Sequence, residues 1–146
     1  MLQLRSIDEG FTISTTDVVV KYSERSGAMI EADVKRNRSE AIADEYFSLI
    51  LTFDLVAEMK CVSVNFSEFQ YGNYEIIEDS ISLEQEHQKN DSGFYIVTDS
   101  IWQKEMAPLY DPKNRFKLRH FIICGYDSYI ELLASEYRVM IKEKNQ

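Results

Sequence analysis

Apolar and polar residues alternate with a period of two over the longest patterned stretch of the chain. From Phe47 the odd positions read Phe47, Leu49, Leu51, Phe53, Leu55, Ala57, Met59 and Cys61, while Ser48, Thr52, Asp54, Glu58 and Lys60 fall on even ones. Successive side chains of a strand point to opposite faces, so this pattern predicts one packed face and one in water. A helix would bring apolar residues round every three or four positions instead. The run exceeds an ordinary strand in length, which predicts a bulge or a break between Asp54 and Ala57.

Shorter runs continue the pattern. Asp17 to Ser23 and Ala28 to Lys35 are β-prone and flank Arg25, Ser26 and Gly27, the signature of a hairpin. Arg36 to Ser39 breaks the alternation, and Ser39 is placed to cap a short helical turn. Val62, Val64 and Phe66, then Ile76 and Ile77, then Ile81 and Leu83 carry strand character, with a polar loop over His87 to Gly93 before Phe94, Tyr95, Ile96 and Val97 resume it. The strongest helix signal is Asp99 to Ala107, where Ser100 and Gln103 have capping-box spacing, Trp102 and Met106 are four apart, and Pro108 is expected to end the helix. Lys113, Arg115, Lys117 and Arg119 alternate with Asn114, Phe116, Leu118 and His120, which predicts a strand with four cations on one face. Phe121 to Cys124 is a continuous apolar run expected to be buried on both sides. Gly125 to Ser128 supplies turn chemistry and Tyr129 to Ala134 the return strand, which Tyr137, Val139 and Ile141 either extend or follow with one strand more, and Lys142 to Gln146 is expected to be a frayed end. The fold class that follows is α+β: a mostly antiparallel β-sheet with one or two short helices packed on it.

Length narrows this picture. A chain of 146 residues that is 45% hydrophobic can build a core, and residues 1–146 are expected to form a single domain. Cys61 and Cys124 each sit in an apolar run, which predicts buried free thiols. Residues 1–20 include Asp8, Glu9 and Asp17 and lack the apolar stretch of a secretory signal, and no apolar run approaches the roughly 20 residues that span a bilayer. A cytoplasmic location is the expectation.

Charge is where function becomes visible. The formal net charge is −9, and between Lys60 and Lys89 there is no Lys or Arg, while Glu68, Glu75, Glu78, Asp79, Glu84 and Glu86 fall inside that stretch. Such a segment repels phosphates and anionic membranes and attracts cationic surfaces, so neither nucleic acid nor a membrane is expected as partner. Tyr71 and Tyr74, beside Gly72 and Asn73, are expected to be exposed, and tyrosines among acids suit a wet interface with a basic protein. The cationic run from Lys113 to Arg119 could hold a phosphate ligand, but alternating cations more commonly blunt an edge strand or pair with a protein's own acidic segment.

Catalytic chemistry has one candidate grouping: His120, Asp127 and Glu131. A hairpin closed by Gly125 and Ser128 puts Asp127 in its turn, Ile122 opposite Glu131, and His120 diagonal to Glu131, within reach of an acid–base partnership. The same arrangement arises when a strand histidine satisfies its ring nitrogens, and no nucleophile or oxyanion motif accompanies the pair. His87 and His120 are the only histidines and lack companions at ligand spacing, no calcium-loop pattern surrounds Glu84 and Glu86, and the five glycines form no phosphate cradle. No metal or cofactor is expected.

Gly93-Phe94-Tyr95 with Asp99-Ser100-Ile101-Trp102, and Leu118-Arg119-His120-Phe121 with Asp127-Ser128-Tyr129-Ile130-Glu131, resemble small bacterial proteins, some of them associated with polymorphic toxin and immunity loci. The resemblance covers roughly the last third of the chain. It implies a domain without a cofactor and carries over no catalytic residue. Charge and resemblance together predict a non-enzymatic acidic binding domain, of the kind that neutralises a cationic protein, with Glu68, Tyr71, Tyr74, Glu75, Glu78, Asp79, Glu84 and Glu86 at the interface. The alternatives are a small enzyme using His120 and Glu131, and a structural or oligomer-forming domain.

Overall fold

The long alternating run is two strands, β5 (Phe47–Phe53) and β6 (Val56–Val62), parted by Asp54 and Leu55. The computed structural model describes residues 2–36, 45–66, 73–77 and 91–144. Alongside the first break lies a second, where β10 (Tyr129–Ala134) gives way to β11 (Tyr137–Glu143). β5 pairs with β11 and β6 with β10, and the Ser135 N–H donates to the Leu55 carbonyl at 3.1 Å between the two ladders. The result is one bent two-stranded ribbon that belongs to both sheets of the molecule. A bulge marks the bend: Glu58 lies opposite Leu133 and Val56 opposite Ala134, which leaves Ala57 as the extra residue.

The remaining strands are β1 (Leu2–Ser6), β2 (Phe11–Ile13), β3 (Val19–Ser23), β4 (Gly27–Arg36), β7 (Tyr74–Ile76), β8 (Phe94–Thr98) and β9 (Arg119–Cys124). One sheet runs β6-β10-β9-β8-β1-β7; the other runs β11-β5-β4-β2, with β3 also paired to β4. Among the described residues all pairings are antiparallel except β1 with β7. The chain is mostly β-sheet, broadly α+β with very little helix. Among the described residues the one helix is α1 (Ile101–Tyr110). The Arg36 to Ser39 turn and the Ile81 to Leu83 run fall mainly or wholly outside the described residues.

Burial explains both kinds of sequence pattern. The two sheets pack face to face over Phe11, Ile30, Leu49, Leu51 and Phe53 from one side and Phe94, Phe121, Ile123, Ile130 and Leu132 from the other. Phe53, Phe94, Phe121 and Tyr137 meet there ring to ring, Phe53 and Phe121 at 5.2 Å and Phe94 and Tyr137 at 5.0 Å. The six-stranded sheet buries its other face too, around Leu4, Phe66, Tyr95, Val97, Ile122 and Tyr129. Strand β9 is thus buried on both sides and reads as an unbroken apolar run, whereas β5 alternates between buried and half-buried residues. The predicted hairpin is β3–β4, closed by Ser23 opposite Gly27. Gly27 has φ +77°, and a Cβ there would stand 2.1 Å from the Phe53 carbonyl oxygen, so only glycine fits.

Several expectations are corrected. Pro108 lies inside α1, which runs on to Tyr110: proline deletes only the bond to Lys104, and the Asp111 N–H closes the helix onto Ala107 at 2.7 Å. Lys113 to Leu118 is a loop, and strand pairing begins only at Arg119. The buried Asp111 carboxylate draws in the N–H groups of Arg115, Phe116 and Lys117, while Asn114 and Lys117 adopt positive φ. Cys61 is exposed because β6 is an edge strand, and Cys124 is half-buried; both are free. Lys142 and Glu143 belong to β11, and Lys144 pairs with Asp33. Among the described residues no helix is long and apolar enough to cross a membrane.

Candidate functional site

The β9–β10 hairpin delivers its geometry from the turn outward. Gly125 donates to the Ser128 carbonyl at 2.9 Å, Glu131 lies opposite Ile122, and His120 lies opposite Leu133, diagonal to Glu131. Nε2 of His120 is 2.9 Å from Oε1 of Glu131. Asp127 sits exposed in the turn, at the far end of the hairpin, and does not join them. The expected His120–Glu131 pair therefore exists and the third member does not.

Ser100 takes the place Asp127 leaves. Its Oγ is 2.7 Å from Nδ1 of His120, and the same oxygen accepts the Gln103 N–H at 3.1 Å as the N-cap of α1. Each proton finds an acceptor if the hydroxyl donates to Nδ1 and Nε2–H donates to the Glu131 carboxylate. Gln103 does not complete the capping box; its Nε2 donates instead to the Leu118 carbonyl at 2.7 Å, which ties the helix to the chain entering β9. Around this row stand the Trp102 ring, edge-on to His120 at 4.9 Å, and Lys60, whose Nζ lies 4.0 Å from the centre of the Trp102 ring. Glu58 accepts from the Trp102 indole and the Tyr110 hydroxyl.

A row of serine, histidine and carboxylate has the connectivity of an acyl-transfer site, but access decides its chemistry. Ser100 is 2% exposed and His120 3%, and the Ser100 oxygen is already committed to the helix cap. A nucleophile must be reachable and have an oxyanion donor facing it. What this row does is dock the start of α1 onto β9 and β10.

Sequence reasoning reached His120 and Glu131 through the turn and missed Ser100, Trp102, Lys60 and Glu58. The capping box marks Ser100 as a helix start, but its second bond is a tertiary contact with no local signal. Elsewhere burial pushes the Tyr95 hydroxyl well above its ordinary range, with the Asp91 carboxylate it bonds adding to the shift, and pushes the Cys124 thiol up as well. A raised thiol is the reverse of a nucleophilic cysteine. Among the described residues no group of three or more His, Cys, Asp or Glu side chains is arranged to hold a metal ion.

Of the expected interface residues, Tyr74 and Glu75 lie on β7, at the edge of the six-stranded sheet. Glu75 is exposed and accepts from the Gln3 amide at 3.2 Å. Tyr74 is half-buried, with its ring 5.1 Å from that of Phe66, and so is not the exposed residue its neighbours predict. Glu68, Tyr71, Glu78, Asp79, Glu84 and Glu86 lie outside the described residues. No protein-family model matches the chain, and no curated protein or solved structure matches it either.

Proposed function

We propose that the chain is a non-enzymatic binding domain whose acidic middle segment engages a basic protein, in the manner of an immunity protein covering a cationic cleft. The observation that carries this reading is the charge distribution: a net charge of −9, with six acidic residues and no Lys or Arg from Cys61 to Gln88. The resemblance of the last third of the chain to proteins of toxin and immunity loci points the same way. Glu75 is the acid that β7 displays, and Glu68, Tyr71, Tyr74, Glu78, Asp79, Glu84 and Glu86 complete the proposed interface.

The test is affinity capture from the cells of origin, at low and high salt, with the natural chain and with a variant carrying Gln in place of Glu75, Glu78, Asp79, Glu84 and Glu86. A basic protein that the natural chain captures and the variant loses is the expected result, with an association rate that falls as salt rises. Capture that survives neutralisation, or a rate indifferent to salt, overturns the reading. The alternative, acid–base chemistry at His120 and Glu131, draws on their 2.9 Å contact. It requires His120→Gln to abolish an activity while leaving partner capture intact.

A further inference from the structure

The cationic run after α1 is not used by the reading above, and the fold gives it a fixed shape. Arg115, Phe116 and Lys117 donate their backbone N–H groups to the buried Asp111 carboxylate at 2.7, 3.0 and 3.2 Å. Asn114 and Lys117 hold left-handed φ values of 49° and 52°. The loop is therefore ordered by its own backbone bonds before any partner arrives.

Lys113, Arg115 and Lys117 are exposed on it and form no ion pair among the described residues, whereas Lys104, Arg138 and Lys144 are paired to Asp99, Asp54 and Asp33. Phe116 lies between Arg115 and Lys117 in the loop and is 45% exposed, and Tyr110 at the end of α1 and Leu55 are exposed at 41% and 37%. Ser135 ties the backbones of Leu55 and Phe116 together, since its N–H donates to the Leu55 carbonyl at 3.1 Å and its hydroxyl to the Phe116 carbonyl at 2.7 Å. The Tyr110 hydroxyl reaches Glu58 on β6, three residues beyond Leu55. Apolar anchors beside unpaired cations, on a backbone already fixed, are the parts of a recognition surface.

We propose that this face binds an acidic segment of another protein, one that spaces apolar side chains between carboxylates. The carboxylates meet Lys113, Arg115 and Lys117 while the apolar groups cover Phe116, Tyr110 and Leu55. A nucleic acid or an anionic bilayer carries an extended array of negative charge that confronts the whole acidic molecule. A short peptide meets only the field within a Debye length, about 8 Å at physiological salt. The proposal draws on no residue of the acidic segment, so it stands or falls without the preceding one.

Fluorescence anisotropy tests it, using the full chain and a labelled synthetic peptide that intersperses Phe and Leu among Asp and Glu. Saturable binding is expected, weakening about tenfold or more from low to high salt. The triple variant Lys113→Glu, Arg115→Glu, Lys117→Glu abolishes it with circular dichroism unchanged, and Phe116→Ala weakens it about tenfold. Absence of binding overturns the proposal. So does equal binding by the triple variant, by an Asn/Gln version of the peptide, or preferential binding of a single-stranded oligonucleotide or of phosphatidylserine vesicles.

Discussion

Ser100 holds two structures together through one oxygen, so its loss is felt twice. Ser100→Ala removes the cap of α1, about 1 kcal/mol, and leaves the buried Nδ1 of His120 without a donor, about 1–3 kcal/mol more. The expected total is roughly 3 kcal/mol, read as a lowered urea midpoint at constant slope. Ser100→Thr keeps the oxygen and most of the stability, and Glu131→Gln keeps an acceptor for Nε2–H and falls between the two. An alanine variant that melts with the natural chain would show that the row holds nothing. Tyr137 makes a pH-dependent contribution. Burial first, then its hydrogen bond to Glu9, pushes its hydroxyl from an ordinary 10.0 up to about 12. The folded chain keeps a proton that the unfolded chain releases, so stability is full below pH 10.0 and declines as pH rises toward about 12. Tyr95, raised further still, adds to the same decline. Urea melts across that window should show a shallower fall in Tyr137→Phe; an identical slope would remove Tyr137 from the account.

At the scale of elements, what the sequence reveals depends on how local the deciding contact is. The β9–β10 register follows from counting outward from the Gly125–Ser128 closure, which is why the His120–Glu131 diagonal is readable before any coordinates. The break after Phe53 is readable because no ordinary strand is as long as the alternation it interrupts. The row of Lys and Arg from Lys113 is misleading for a physical reason: its period of two mimics a strand, yet the Asp111 carboxylate offers the backbone better partners than a neighbouring strand does. Tyr74 is misjudged because its burial depends on β1 lying between β7 and β8, a pairing remote in sequence. The loop's dependence on Asp111 is testable. Asp111→Ala strips three bonds to a buried carboxylate and should cost on the order of 3 kcal/mol. Limited proteolysis should then cut within residues 112–118 under conditions where the natural chain resists. Equal resistance in the variant would mean that the loop is held by something other than this carboxylate.

For the whole molecule the bent ribbon is the decisive feature, because β5–β6 and β10–β11 each cross from one sheet to the other. Two sheets joined only by loops can open separately; two sheets sharing a hydrogen-bonded ribbon and a common cluster of Phe53, Phe94, Phe121 and Tyr137 should not. Leu51→Ala places the damage in the five-stranded sheet, where Leu51 is fully buried, and should cost about 2–5 kcal/mol. The slowest amides of β9, in the other sheet, should then exchange with solvent faster by the same factor as those of β5. The exposed strand β3, which among the described residues pairs only along β4, should exchange early in both proteins. If β9 retains its natural protection while β5 loses its own, the sheets open independently and the ribbon does not couple them. If both accelerate together, the helix docking row on β9 and β10 inherits the stability of the entire sandwich, and the cation-bearing loop that α1 leads into is displayed on a scaffold that opens only when the whole fold does.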